Sequence, residues 1–126
     1  MPTRVLIVDD EPLMHMLYKS HLEKAGYQLL SAKTGEEGLV MAKAEKPAVI
    51  IMDVILPGID GLAVLRELKN EEATKNIPVI VITAAVSQQH HATRQEATAG
   101  GAALFMTKPI SPAQLVSEIQ KLATAG

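Results

Sequence analysis

The chain has 126 residues, 48% of them hydrophobic and 21% charged, which is the size and composition of one globular domain around a single core. Twelve Lys and Arg against fourteen Asp and Glu leave a formal charge of −2, with only Tyr18, Tyr27 and Phe105 as aromatics; a basic footprint for nucleic acid is absent and there is little to stack bases on. The chain has no Cys, which excludes disulfides, thiolate zinc sites and thiol catalysis, and its apolar runs are too short for a signal peptide or a bilayer span, so a cytoplasmic protein without membrane insertion is expected.

Residues 4–8 (RVLIV) are a short, β-branched apolar run ended by Asp9, Asp10 and Glu11, which predicts a buried strand. Pro12 suits a first helical position, behind acids that favour a helix N-terminus. Met14, Leu17, Tyr18, His21 and Ala25 then recur at helical spacing until Gly26 stops the helix. Residues 27–32 (YQLLSA) predict a second strand. Thr34 and Glu37 have capping-box spacing for a helix running to about residue 45, with Leu39, Val40 and Ala42 to Ala44 as its apolar face.

Residues 48–52 (AVIIM) predict a third strand, with Asp53 directly after it. Pro57, Gly58 and Asp60 mark a loop before a helix over 61–69 that turns Leu62, Val64, Leu65 and Leu68 inward. The charged run 70–76 reads as a solvated connection. Residues 78–83 (PVIVIT) predict strand four, and Ser87 caps a helix that ends at Gly100 and Gly101. Residues 103–107 (ALFMT) predict strand five, closed by Lys108 and Pro109. Ser111 and Pro112 open the last helix as N-cap and N1, with Leu115, Ile119 and Leu122 inside.

Strands alternating with helices predict an α/β, doubly wound, parallel sheet in one domain, residues 1–126. Strands one, three and four are apolar throughout, as a sheet covered on both faces requires. Asp9 and Asp10 follow strand one, Asp53 follows strand three, and Thr83 and Lys108 end strands four and five. All five therefore gather at one edge, the carboxyl edge, where open α/β sheets bind ligands. Three crowded carboxylates repel unless a cation joins them. Hard oxygen donors without His or Cys point to Mg²⁺, which also binds phosphate oxygens. The lysine and the hydroxyl complete a clamp for a phosphoryl group, with a carboxylate available as nucleophile.

The segments Val8–Glu11 (VDDE), Met52–Gly61 (MDVILPGIDG), Val81–Ala85 (VITAA) and Phe105–Pro109 (FMTKP) together resemble the two-component response-regulator receiver domain, and the resemblance covers nearly the whole chain. It implies a flavodoxin-like fold with strand order 2-1-3-4-5 and a phosphorelay switch rather than an enzyme. Asp53 resembles the phosphoacceptor for a kinase phosphohistidine. Asp10 and Asp53 resemble the direct Mg²⁺ carboxylates, Asp9 acting through water, and the backbone carbonyl of Ile55 is implied as a further ligand. Thr83 resembles the switch hydroxyl, Lys108 the lysine that pairs with the phosphoryl group, and Phe105 the aromatic that turns inward with Thr83. The Lys108–Pro109 bond is implied to be cis. The implied partners are a sensor histidine kinase or phosphotransfer protein and a downstream protein that docks, on a monomer or weak dimer. The chain ends with the last helix, so a stand-alone receiver is expected, a receiver cut from a longer protein being the alternative. The spacing from Thr83 to Lys108 is longer than the family's, and the added length falls between Ala84 and Gly101.

Other features carry less. His90 and His91 are adjacent, so on a helix they point about 100° apart and cannot share one ion. His15 is expected to be exposed and His21 half-buried. A small aspartate-nucleophile phosphatase of the haloacid dehalogenase kind is the rival reading, but such enzymes place a second acid two residues after the nucleophile, where Ile55 stands. A receiver that binds partners without phosphorylation is disfavoured by the complete set of Asp9, Asp10, Asp53, Thr83 and Lys108.

The resemblance also sets an expectation for the lifetime of the phosphorylated form. In the family, the side chains two residues after the acceptor and two after the switch Thr flank the path of the hydrolytic water. Here they are Ile55 and Ala85, and neither can orient a water. Replacing Ile55 by Asn and Ala85 by Glu together is expected to speed loss of the phosphoryl group about tenfold, roughly 1.4 kcal/mol of barrier. The decay is followed by intact mass after removal of the donor.

Overall fold

Strict alternation along apolar strands sends successive side chains to opposite faces, and here both faces have to be covered. In the computed structural model, described for residues 3–54, 56, 59–84, 90–108 and 110–125 (the side chains of 84, 90–93, 124 and 125 aside), the elements are β1 (Thr3–Val8), α1 (Pro12–Lys24), β2 (Tyr27–Ala32), α2 (Gly35–Glu45), β3 (Val49–Asp53), α3 (Gly61–Asn70), β4 (Val79–Ala84), α4 (His90–Ala99), β5 (Leu104–Lys108) and α5 (Pro112–Ala125). The five strands form one parallel sheet in the order β2-β1-β3-β4-β5. The expected class and order are both found.

Val5, Ile7, Val49, Ile51, Ile80 and Ile82 face one side of the sheet, where Tyr18 and Leu22 of α1 and Leu115 and Ile119 of α5 cover them. Leu6, Val8, Ile50, Met52, Val79 and Val81 face the other, under Ala42 of α2, Val64, Leu65 and Leu68 of α3 and Ala97 of α4. Burying such aliphatic side chains contributes about 1.5–3 kcal/mol each, before the entropy of ordering them is subtracted.

Two helix faces and one connection differ from the periodicity reading. In α1 the buried residues are His15, Tyr18 and Leu22, whereas Leu17 is exposed with Leu13 and Met16. In α2 they are Gly35, Gly38 and Ala42, and Val40 is exposed. The side chain of Val8 lies where a Cβ on Gly38 would be, so a small residue is what brings this helix down onto β1. The connection after α3 is more than solvated. Thr74 is buried and donates its hydroxyl to the Leu68 carbonyl at 2.7 Å, and Lys69 Nζ donates to the Lys75 and Ile77 carbonyls at 3.1 and 2.8 Å. Thr74 thereby satisfies one carbonyl that the end of α3 leaves open.

Helix starts agree with the capping chemistry. Thr34 Oγ1 accepts the Glu37 N–H at 3.1 Å and Asp60 Oδ1 accepts the Ala63 N–H at 2.9 Å. Ser111 Oγ accepts the Gln114 N–H at 3.5 Å, which is long for a cap. Ser87 lies outside the described residues.

The first residue of α3 sits against the end of β3. The Gly61 N–H donates to the Val54 carbonyl at 2.8 Å, and a Cβ on Gly61 would run into the Asp53 carbonyl oxygen and the Val54 Cα. Main chain cannot yield as a side-chain tip can. Gly61→Ala is expected to destabilise the fold by about 2 kcal/mol or more through this overpacking, read as a lower urea midpoint at unchanged slope.

Candidate functional site

Register brings the polar strand ends together. Val8 pairs with Met52, so Asp9, one residue on, comes level with Asp53. Asp53 pairs with Ile82, and Thr83 with Thr107, which puts Thr83 one step and Lys108 two steps beyond that level. The apolar runs alone set this alignment, because a slip by one residue would turn every core side chain to the wrong face.

The acids converge as expected. Asp9, Asp10 and Asp53 each bring a carboxylate oxygen within 4.8 Å of the others; Asp9 and Asp53 are buried and Asp10 is exposed. Lys108 reaches back over them, with Nζ 2.8 Å from Asp53 Oδ2, 3.4 Å from Asp9 Oδ2 and 3.2 Å from Glu11 Oε1. Burial alone would lower the lysine's pKa. The hydrogen bond to Asp53 and its charge, the charge of Asp9 and the hydrogen bond donated to Glu11 more than reverse that and hold it above the ordinary lysine value, so the group is an ammonium ion throughout the neutral range.

This donor set fits a hard divalent cation. The ligand atoms are all carboxylate oxygens, and the exposed Asp10 leaves the cluster open on the solvent side for water or a substrate oxygen. Ile55, whose carbonyl is an expected further ligand, and Pro109, in the expected cis bond, lie outside the described residues.

Thr83 is buried at the end of β4. By alternation it belongs with Val79 and Val81 on the α3 and α4 side, and Phe105, which pairs with Val81 and is partly buried against the same cluster, shares that side. Asp53 follows Ile51 on the opposite side. Thr83 and Phe105 thus share one face of the sheet, the opposite one from Asp53.

Three residues near the site were not singled out from the sequence. Glu11 is a further anionic partner of Lys108. His15, expected to be exposed, is buried, with Nε2 at 2.6 Å from the Asp9 carbonyl oxygen. His15 pairs with backbone, which a polar side chain on a buried face requires, and no apolar pattern marks such a position. The Tyr18 hydroxyl is buried, with no partner among the described residues. Burial raises its pKa, the Lys108 charge opposes, and Asp9, Asp53 and Glu11 add to the rise, so it remains a neutral phenol close to the charged cluster. His21, as expected, is half-buried, with Nδ1 3.0 Å from the Leu17 carbonyl oxygen. The side chains of His90 and His91 lie outside the description.

Lys108 pairs with Asp9 and Asp53 but not with Asp10, so Asp10 brings repulsion without that compensation. In chelator, Asp10→Asn is expected to raise the melting temperature by about 4 °C, near 1 kcal/mol for a domain of this size. Asp53→Asn gains less, because it also loses the shortest lysine contact. Thermal melts of the two variants beside the parent check the order.

Comparison with known proteins gives the same placement. The family model for the response regulator receiver domain matches residues 5–120. Protein PilH of Pseudomonas aeruginosa is 35% identical over 116 residues, covering 92% of this chain and 93% of PilH. The polar-differentiation response regulator DivK of Brucella anthropi is 35% identical over 121 residues, 95% of each chain. The crystal structure of a signal receiver domain of a signal transduction histidine kinase from Syntrophus aciditrophicus aligns with a TM-score of 0.88 at 32% identity, over 98% of this chain and 91% of that one. With a sheet ordered as theirs and an acidic cluster at its carboxyl edge, the chain belongs to the response regulator receiver domain family of two-component signalling.

Proposed function

We propose that this receiver works as a phosphorelay switch in which Asp53 accepts a phosphoryl group from a phosphohistidine, with Mg²⁺ as the resident cation. The observation that carries the reading is the position of the Asp53 carboxylate. It is buried at the end of β3, 2.8 Å from the Lys108 ammonium and within 4.8 Å of the ligand atoms of Asp9 and Asp10.

A carboxylate oxygen of Asp53 attacks phosphorus. The P–O bond forms as the P–N bond to the donor imidazole breaks, and the departing electron pair stays on the imidazole nitrogen. Asp10 and Asp53, with Asp9 beside them, would hold Mg²⁺, which would supply positive charge for the phosphoryl oxygens. The ammonium of Lys108 neutralises Asp53 before transfer and is placed to pair with a phosphoryl oxygen after it. The Thr83 hydroxyl provides a donor for another oxygen, and Phe105, its neighbour on that face, follows its movement and changes the surface that a downstream protein reads. The phosphoryl group passes from the donor imidazole to the protein's own carboxylate, which makes this a switch and not an enzyme that releases a product of a separate substrate.

The donor is a sensor histidine kinase or a phosphotransfer protein. Leu13 and Met16 of α1, 75% and 68% exposed, give such a partner an apolar surface just past the acidic turn. The setting is the cytoplasm; among the described residues no helix is long and apolar enough to cross a membrane. The protein acts as a monomer or weak dimer.

With MgCl₂ and a small acyl phosphate the parent is expected to gain one labile phosphoryl group by intact mass, and Asp53→Asn to lose the gain by about a hundredfold or more in rate, since an amide is no nucleophile here. Equal loading of Asp53→Asn, or donor turnover without loading of the parent, overturns the reading.

A further inference from the structure

Asp9 occupies the turn between β1 and α1, and all its polar groups are tied. Its N–H donates to the Ala32 carbonyl at 3.0 Å. Oδ1 accepts the Glu11 N–H at 3.0 Å, and Oδ2 faces Lys108 at 3.4 Å. Its carbonyl oxygen lies 2.6 Å from His15 Nε2. A carbonyl can only accept, so Nε2 carries the proton and donates. The helix does not claim that carbonyl, because the first-turn N–H groups of Met14 and His15 go to the Glu11 carbonyl at 3.1 and 3.5 Å.

The imidazole is 9% exposed, and its second nitrogen, Nδ1, is buried with no hydrogen-bond partner among the described residues. An unmet buried polar atom costs about 1–3 kcal/mol. An apolar residue at position 15 would avoid that cost beside Tyr18 and Leu22 on the buried stripe of α1. Packing therefore gives no reason for a histidine here; the bond to Asp9 does.

The peptide unit between Asp9 and Asp10 is planar, and its six atoms include the Asp9 carbonyl oxygen and the Asp10 Cα. Holding the oxygen fixes that plane, and the Glu11 N–H on Asp9 Oδ1 at 3.0 Å holds the peptide that follows; with the backbone held on both sides, the direction in which the Asp10 side chain leaves it is set. Asp10 is exposed, so no surrounding packing aims it.

We propose that His15 is a positioning residue of the metal site, locking the Asp9–Asp10 peptide so that the Asp10 carboxylate points to the place shared with Asp9 and Asp53. This rests on the reading of those three acids as the Mg²⁺ site. His15 touches neither cation nor phosphoryl group and acts through the backbone alone.

The test compares two substitutions. His15→Phe keeps a ring of similar size without the donor, and His15→Gln keeps an N–H donor at a similar reach. Mg²⁺ affinity is measured from amide chemical-shift changes on adding MgCl₂, far below the melting transition. His15→Phe is expected to raise Kd about tenfold, roughly 1.4 kcal/mol, with His15→Gln within about threefold of the parent. Nitrogen-15 ring spectra of the parent are expected to show the proton on Nε2. Should His15→Phe fail to fold, His15→Asn, whose shorter amide falls short of the carbonyl, takes its place with the same expectation.

A Kd for His15→Phe within about twofold of the parent overturns the proposal even if the variant melts lower, because its effect is then on stability alone. Equal weakening by Phe and Gln also overturns it, since packing rather than the donor would then matter. A parent without Mg²⁺-dependent shifts overturns the metal reading itself, and the role of His15 with it, a result distinct from a parent that binds beside a variant that binds equally well.

Discussion

Lys108 holds together an edge that would otherwise push itself apart. The parallel register lines up Asp9 and Asp53, and the turn after β1 adds Asp10, so three carboxylates meet within 4.8 Å. Core packing does not favour that meeting; it is imposed by strands whose buried faces allow only one alignment. One ammonium group compensates by touching Asp53, Asp9 and Glu11 together. Part of the attraction a metal ion would supply is thus already present, and the remainder is what makes the cluster receptive to a divalent cation.

Much of this was legible because the informative residues follow uninterrupted apolar runs. RVLIV, AVIIM and PVIVIT can be little else than buried strands; Asp9 and Asp53 directly follow the first two, and the third itself ends on Thr83. Once the strands are parallel, their carboxyl ends lie at one edge whatever the loops do. Strand order was less accessible: alternation establishes that the sheet is parallel, whereas the 2-1-3-4-5 order came from the resemblance and is found in the structure.

The helices were harder to read, for two physical reasons. In α1 the buried stripe runs His15, Tyr18, Leu22, with Met14 partly buried against the same core and Leu17 exposed. A hydropathy pattern reads histidine as outward, while here a backbone carbonyl inside accepts the proton of its Nε2. In α2 the buried residues are two glycines and an alanine, which carry almost no hydrophobic signal. Their role is closeness, and closeness depends on the partner, in this case Val8. Thr74 belongs with them: a hydroxyl in a charged run looks solvated until its acceptor, the Leu68 carbonyl, is known.

The thin packing of α4 has a mechanical consequence. Among its described side chains, residues 94–99, Ala97 is the one that is buried, and just beyond it Gly100 lies close against Leu65. The described part of this helix, seated on a methyl group and a bare Cα, gives up little apolar contact when it slides, whereas α3 would have to withdraw Val64, Leu65 and Leu68. Compliance is therefore unequal between the two: stiff under α3, soft under residues 94–99 of α4. A small displacement at the end of β4 is taken up where the restoring force is weakest, and the rest of the core keeps its shape.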